Sequence, residues 1–204
     1  MTGMDTLPLT PDELLTTTRS VRRRLDLDRP VDLAVVRECV EIALQAPSGG
    51  NAQRWHWIVV TDPALREPIG GYYRRAWQAY SKDSAPGAVR DSAAHLADVL
   101  AQVPVLLIPC LEVPTLPAGS QASTWGSLLP AAWSYMLAAR ARGLGTAWTT
   151  LHLRYEREVA ELLGLPDGIR QGALIPTAYY TGETFKPARR TPVEEVLHVD
   201  GWGG

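Results

Sequence analysis

The chain has 204 residues and a formal net charge of −2, from 20 Lys and Arg against 22 Asp and Glu. At about 150 residues per domain, this length predicts one compact unit, and 46% apolar with 21% charged residues excludes a globally disordered chain. The near-neutral charge argues against a dedicated nucleic-acid-binding protein. Cys39, Cys110 and four scattered histidines lack metal-ligand spacing, so no metal site is predicted.

The sequence predicts neither a secretory signal nor a membrane span. Residues 1–18 have no basic start and no apolar core. The longest apolar run, Val103–Leu111, is broken by two prolines and is far shorter than the about 20 residues that cross a bilayer. We therefore expect a cytoplasmic protein without a membrane partner.

Helical and strand patterns alternate along the chain, which predicts an α+β or α/β domain. Helices are predicted over Leu33–Gln45, over most of Arg66–Leu100 with an interruption around Ser81–Gly87, over Gly126–Arg142 and over Glu156–Leu163. Strands are predicted over His56–Thr61, Val103–Leu111, Thr146–Thr150 and Gly172–Tyr180. The Gly126–Arg142 helix is apolar on two faces, so we expect it in the core or at a subunit interface.

Three segments contain residue types suited to ligand binding. Arg19–Arg24 places arginines beside Ser20, a pattern that binds phosphate or forms a solvated basic face. Ala46–Gln53 combines small residues with Asn and Gln, which lets a backbone approach a flat ligand or forms an ordinary turn. Gly143–Thr150 follows the long helix, where backbone N–H groups face a ligand or simply cap the helix.

Together these segments resemble the FMN-dependent nitroreductase family. The family's motifs are matched in order by Thr18-Arg19-Ser20-Val21-Arg22, by Ala46-Pro47-Ser48-Gly49-Gly50-Asn51-Ala52-Gln53-Arg54-Trp55, by Ala138-Ala139-Arg140-Ala141-Arg142-Gly143-Leu144-Gly145-Thr146, by Leu163-Gly164-Leu165-Pro166, and by Arg190-Thr191-Pro192-Val193-Glu194-Glu195-Val196. Each motif is weak alone, but five in sequence across residues 18–200 are specific.

The resemblance implies an α+β fold in which a mixed central sheet is flanked by helices. It further implies an intertwined homodimer with one FMN per subunit, bound at the interface. Residues 18–204 would form a single FMN-binding domain, with an N-terminal extension over residues 1–17 and a C-terminal extension from about residue 181.

The resemblance also implies the cofactor contacts. The FMN phosphate and pyrimidine edge would be held by Arg19, Ser20 and Arg22, with Arg190 closing on the phosphate. The partner's flavin would be reached by Pro47, Ser48, Gly49, Asn51 and Gln53. A backbone donor to flavin N5 would come from Thr149, Thr150 or Leu151.

The implied activity is a ping-pong reaction in which NADH or NADPH transfers hydride to FMN, which then reduces a nitroaromatic or quinone-like acceptor. No catalytic side chain is expected, because the flavin carries the chemistry. Two alternatives stay open. One is a different reaction on the same fold, namely dehalogenation, dehydrogenation or flavin fragmentation, and the other is a non-catalytic flavin-binding protein.

The sequence departs from the family pattern at Thr18, at Arg54 and at Trp133-Ser134, where many relatives have Gln-Asn. Thr18 replaces an Arg, which removes a charged phosphate contact worth about 1.5–3 kcal/mol. Compensating cations could come from Arg23, Arg24 or Lys186. Arg54 replaces a Pro and either favours an anionic substrate or nicotinamide-cofactor phosphate, or is simply solvated.

The phenylalanines that often cover the flavin in this family are absent, since the chain has one Phe but seven Trp and seven Tyr. Tryptophan and tyrosine rings could serve instead, and otherwise they pack in helices or loops. The candidates for covering the flavin are Trp125, Tyr72, Tyr73 and Trp77. The candidates for the substrate pocket are Arg54, Tyr72 and Trp125.

Overall fold

The structure is a computed structural model that describes residues 6–83, 85–119 and 121–203. Its helices are α1 (Pro11–Thr17), α2 (Leu33–Ala43), α3 (Pro63–Tyr80), α4 (Ala88–Val99), α5 (Ala122–Ala141) and α6 (Glu156–Leu163). Its strands are β1 (Trp55–Val60), β2 (Val105–Glu112), β3 (Leu144–Thr146), β4 (Ile169–Gln171) and β5 (Ile175–Tyr179). Residues 1–5 of the predicted N-terminal extension, Ser84 of the predicted helix interruption, and Gly204 lie outside the described residues.

The described strands form one sheet in the order β1-β2-β5-β3, with β4 paired to the end of β2. All of these ladders are antiparallel; β1 pairs with β2 along its whole length, from Trp55 opposite Leu111 to Val60 opposite Leu106. One isolated parallel bridge joins Ser20 to β3, which makes the sheet mixed. The α+β prediction with a helix-flanked mixed sheet is therefore confirmed.

Helices cover both faces of the sheet. On one face α2 and α5 bury a cluster that includes Val36, Tyr135 and Met136. On the other face α3 and α4 bury Ile69 and Leu96. Removal of these apolar side chains from water is the main stabilising term of such a core.

Helix α5 has one buried side and one exposed side. Tyr135 and Met136 are buried, whereas Leu129 and Trp133 on another face are 36% and 38% exposed. The helix was predicted to lie in the core or at a subunit interface, and one of its sides does lie in the core. The exposed side leaves room for a subunit contact.

Two predicted strands differ from the structure. The Thr146–Thr150 prediction is wrong, because β3 ends at Thr146 and Thr149 makes only an isolated bridge to Leu174. The Gly172–Tyr180 prediction contains β5 but begins three residues before its first residue, Ile175, and β4, which ends at Gln171, was not predicted. At Gly172 the backbone lies so close to α5 that a Cβ would be 2.5 Å from Leu128 Cδ2, and the chain shifts there between strands.

The sequence analysis missed helix α1. Its signal is local: Thr10 Oγ1 accepts a hydrogen bond from the Glu13 backbone N–H at 3.2 Å, while the Glu13 carboxylate accepts from the Thr10 N–H at 2.8 Å. This reciprocal capping box, followed by Pro11 in the first turn, is a known start signal for helices. No helix of the described chain has the length and apolar content to cross a bilayer.

Candidate functional site

A cavity of about 500 Å³ opens between α3, α4 and the segment that follows β3. It is lined by Arg22, Tyr73, Trp77, Tyr80, Ala85, Val89, Arg90, Ala93, Trp148, Thr149, Thr150 and Leu151. The fold thus brings Arg22 together with Thr149–Leu151, which are far apart in the sequence and were predicted separately to contact one ligand.

The position of Arg22 depends on a close contact between its segment and β3. The Val21 N–H donates to the Thr146 carbonyl at 2.7 Å. A Cβ at Gly145 would lie 3.1 Å from the Val21 side chain, so glycine allows this approach. The bridge holds the half-buried Arg22 at the cavity and leaves Ser20 exposed in an adjoining groove of about 270 Å³.

The arginines of this segment have different partners. Arg24 donates to the carbonyls of Thr181 and Thr184 at 2.6 and 3.0 Å and lies 4.2 Å from the centre of the Phe185 ring. Arg19 donates to the Lys186 carbonyl at 2.9 Å. Arg24 and Arg19 therefore anchor the C-terminal extension, whereas the Arg22 guanidinium has no hydrogen-bond or ion-pair partner within residues 6–83, 85–119 and 121–203.

Another part of the cavity wall is fixed by a hydrogen bond between the Tyr73 hydroxyl and Thr149 Oγ1, 2.9 Å apart. Burial raises the pKa of Tyr73, while the Thr149 bond and the Arg22 charge lower it, so the phenol stays protonated at neutral pH. The Thr149 backbone N–H donates to the Leu174 carbonyl. A short 3-10 helix runs over Leu151–Tyr155, directly after Thr150. Because the first N–H groups of a helix lack intrahelical acceptors, Thr150 and Leu151 supply the backbone donors that this segment can offer to a ligand.

The Ala46–Gln53 loop lies away from this cavity. It borders a separate groove of about 300 Å³, whose lining includes Ser48, Gly49 and Arg54. One hydrogen bond within the loop and one to α5 hold it: Ser48 Oγ accepts from the Gln53 N–H at 2.9 Å, and the Gly49 N–H donates to Ser127 Oγ of α5 at 3.0 Å. Within one chain, the predicted cofactor contacts are thus divided between two places.

Backbone conformation distinguishes this loop as well. Gly50, Asn51 and Gln53 have φ of 59°, 53° and 50°, the left-handed region that residues other than glycine seldom occupy. All three residues are exposed. Such strain is concentrated at binding sites, where the conformation is part of recognition.

The model of the nitroreductase family matches residues 15–179. The chain belongs to the nitroreductase family. A relative named NADH dehydrogenase, from Thermus thermophilus, is 33% identical over 195 residues, which cover 88% of this chain and 90% of that protein.

Solved structures of other family members share the fold. A variant of NfnB, an FMN- and NADPH-dependent nitroreductase derived from Sphigopyxis sp. strain HMH, has a TM-score of 0.73 at 23% identity and covers 95% of this chain and 100% of its own. Iodotyrosine deiodinase bound to FMN and 3-iodo-L-tyrosine has a TM-score of 0.72 at 23% identity, with 94% and 99% covered. At these identities the comparison establishes the fold of this nitroreductase-family chain.

The remaining predicted site residues lie in several separate places. Tyr72 lies outside the Arg22 cavity: its ring stacks on Tyr155, with centroids 5.3 Å apart. Trp125 packs against the cluster around Trp55, near the Ala46–Gln53 loop. Pro47 and Arg190 are exposed, Arg190 in the C-terminal extension. The structure therefore brings neither Tyr72 nor Trp125 to the cavity, whereas Tyr73 and Trp77 line it.

Thr18 has a structural role at the position where the family has an Arg. Its side chain is buried, and Oγ1 donates to the Leu14 carbonyl at 2.6 Å. The residue thereby closes the end of α1. Of the three candidate compensating cations, Arg24 is committed to the C-terminal extension and Lys186 contributes its carbonyl to Arg19, while Arg23 borders the groove beside Ser20.

His152 is a residue of this region that sequence analysis left without a role. It follows Leu151 directly, is fully buried, and neither ring nitrogen has a partner among the described residues. Burial lowers its pKa to about 4, so the ring is neutral at pH 7. The sequence around a lone histidine does not show whether the side chain is buried or exposed, and only the fold shows that His152 is buried.

Proposed function

We propose that the protein is a cytoplasmic, FMN-dependent oxidoreductase that uses NADH or NADPH to reduce nitroaromatic or quinone-like acceptors. The observation that carries the proposal is the shared cavity of Arg22 and Thr149–Leu151, which adjoins the cationic groove at Ser20. The names of the relatives support it, since they include an NADH dehydrogenase and an FMN- and NADPH-dependent nitroreductase.

The residues present fit a flavin mononucleotide. The groove lined by Arg19, Ser20, Arg22 and Arg23 combines guanidinium groups with a hydroxyl, the donor set that phosphate requires. The adjoining cavity has aromatic and aliphatic walls, which suit a flat ring system. When bound, the flavin supplies the redox chemistry that connects the nicotinamide donor to the acceptor.

The side chains and backbone of the chain would bind and orient that group. The Arg19–Arg22 segment would hold the phosphate and the pyrimidine edge, and the fixed positive charge of Arg22 would stabilise the negative charge that develops at that edge on reduction. A backbone N–H of Thr150 or Leu151 would orient the ring at N5. The Tyr73–Thr149 hydrogen bond would keep this donor segment in place.

We further propose that a second copy of the chain completes the site. The Ala46–Gln53 loop, which carries predicted cofactor contacts, is exposed and distant from the Arg22 cavity in its own chain. Apolar side chains are exposed on α2, on α5 and in the C-terminal extension, among them Ile42, Leu129, Trp133, Val196, Leu197 and Trp202. A permanent dimer interface of more than about 2,000 Å² would cover such surfaces.

Purified protein tests the proposal through its visible spectrum. We expect a yellow protein whose bound flavin is bleached by NADH or NADPH under anaerobic conditions, with parallel initial-rate lines against a nitroaromatic or quinone. A colourless protein that does not bind added FMN would contradict the proposal. Bleaching without turnover of either acceptor class would favour another reaction on this fold, and bound flavin without bleaching would favour a non-catalytic role.

A further inference from the structure

We propose that Arg90 makes the acceptor site selective for flat aromatic substrates that carry a carboxylate. The inference rests on the proposed oxidoreductase function and names the substrate class for the same cavity. Arg90, on α4, lines the cavity together with Arg22. These two arginines are the charged residues of its described lining, in which no Asp or Glu occurs. The cavity therefore presents a net positive charge to its ligand.

The Arg90 guanidinium makes one hydrogen bond to the described residues and has further N–H donors for a ligand. Its Nη2 donates to the Ser81 carbonyl at 3.3 Å, which links α4 to the end of α3. A guanidinium carries five N–H donors, and no described carboxylate lies within ion-pair distance of Arg90. A partly buried cation in that situation attracts an anion more strongly than a solvated one. Its planar fork fits the two oxygens of a carboxylate.

The remaining walls indicate that the anion should be attached to a ring. Trp77 and Tyr80 form an aromatic corner, with ring centroids 6.0 Å apart at an interplanar angle of 43°. Trp148 and Val89 extend the apolar lining. Aromatic side chains bind another ring by stacking or edge contacts.

The two arginines would bind different ligands, Arg22 the cofactor and Arg90 the acceptor. Arg22 belongs to the segment that adjoins the phosphate groove and is assigned to the cofactor. Arg90 is absent from that groove's described lining and is thus the cation left for the acceptor. An arginine that binds the carboxylate of a ring stacked beside Trp77 would raise affinity for that substrate over its neutral analogue.

The test compares 4-nitrobenzoate with its neutral analogue 4-nitrobenzamide as acceptors for the flavin-loaded protein. For Arg90→Gln we expect kcat/KM to fall about ten- to hundredfold with 4-nitrobenzoate, the loss of a charge-assisted hydrogen bond, and by less than about twofold with 4-nitrobenzamide. Arg90→Lys should recover part of the benzoate activity. Arg75→Gln is the matched control, because it removes the same charge from an exposed side chain on α3.

A binding measurement separates this inference from the proposed function. Calorimetric titration of the oxidised protein with 4-nitrobenzoate should show salt-sensitive binding that Arg90→Gln weakens at unchanged flavin content, even if nitro turnover is absent. Equal effects of Arg90→Gln on both acceptors, or an effect on the KM for NADPH in place of that for 4-nitrobenzoate, would overturn the inference. So would an equal loss in Arg75→Gln.

Discussion

The Arg22 cavity and the Ala46–Gln53 loop carry the two halves of the expected cofactor site, and they differ in how far a single chain completes them. At the cavity, Tyr73 is buried and bonded to Thr149, and the Arg22 segment is bridged to β3. The loop is exposed, with φ near +50° at Asn51 and Gln53. The comparison teaches that one chain is enough to order the Arg22 cavity, whereas it leaves the Ala46–Gln53 loop exposed for the second copy that we propose.

The largest effect is expected from breaking the contact between copies. Trp133, on the open face of α5, is 38% exposed in one chain. Trp133→Lys should convert the proposed dimer into monomers and release the flavin, because a charge placed on this apolar face is left without a partner when the face is covered. Sedimentation and the absorbance of bound flavin measure the two outcomes. Trp133→Phe is the control and should remain dimeric and yellow; a yellow Trp133→Lys monomer would remove the loop from the site.

A smaller loss of FMN binding is expected from a substitution in the Arg22 cavity. Arg22→Ala should lower FMN affinity about ten- to hundredfold and lower the flavin potential, because a charge-assisted contact worth about 1.5–3 kcal/mol is removed. The far-ultraviolet circular dichroism spectrum and the dimer should be unchanged. Fluorescence titration with FMN measures the affinity. Arg157→Ala, at an 83% exposed side chain on α6, is the control; equal affinities in the two variants would exclude Arg22.

Acid should destabilise the cavity region through His152. Because its pKa is lowered to about 4 by burial, the unfolded chain binds more protons than the folded one between that pKa and the ordinary value near 6.5. Stability therefore falls as pH drops through this window, by about 2 kcal/mol between pH 7 and pH 5. Urea unfolding of His152→Phe should lack this component. Parallel pH dependences of the two proteins would contradict it.

The smallest effects compare one hydrogen bond in each region. Tyr73→Phe leaves Thr149 Oγ1 without its buried partner and should cost about 1 kcal/mol of unfolding free energy. Ser48→Ala removes the acceptor of the Gln53 N–H on the exposed loop and should change stability by less than about 0.5 kcal/mol. Urea unfolding measures both. Equal losses would show that the loop is as firmly held by its own chain as the cavity.

The fold was predictable where local signals and periodicity agree. Helix α6 has its predicted bounds, Glu156–Leu163, because an apolar face is followed by Gly164 in the left-handed conformation. The strand predicted at Thr146–Thr150 failed because its β-branched residues favour a strand, whereas pairing with β5 ends at Thr146. Tertiary contacts override propensity at such positions.

The segments that form the candidate site could be predicted from the sequence, but the positions of their side chains could not. Resemblance led to Arg22 and to Thr149–Leu151, and the fold brings them to one cavity. It could not distinguish Tyr72 from Tyr73, since adjacent residues on a helix point about 100° apart and only packing decides which one faces inward. Nor could it show Arg24 committed to the C-terminal extension, because those contacts join residues more than 150 apart.

The most direct test of a site shared between two copies mixes two variants that each weaken FMN binding, at an FMN concentration that fills only intact sites. Arg22→Ala breaks the cavity, and Gly49→Trp blocks the loop at a position where a Cβ would meet only Ser127 Oγ, at 3.7 Å. If the chains exchange at random, half of the dimers are mixed and each of these has one intact site, so flavin binding should return at about a quarter of all sites. No recovery on mixing, with mixed dimers shown to form, would contradict the shared site.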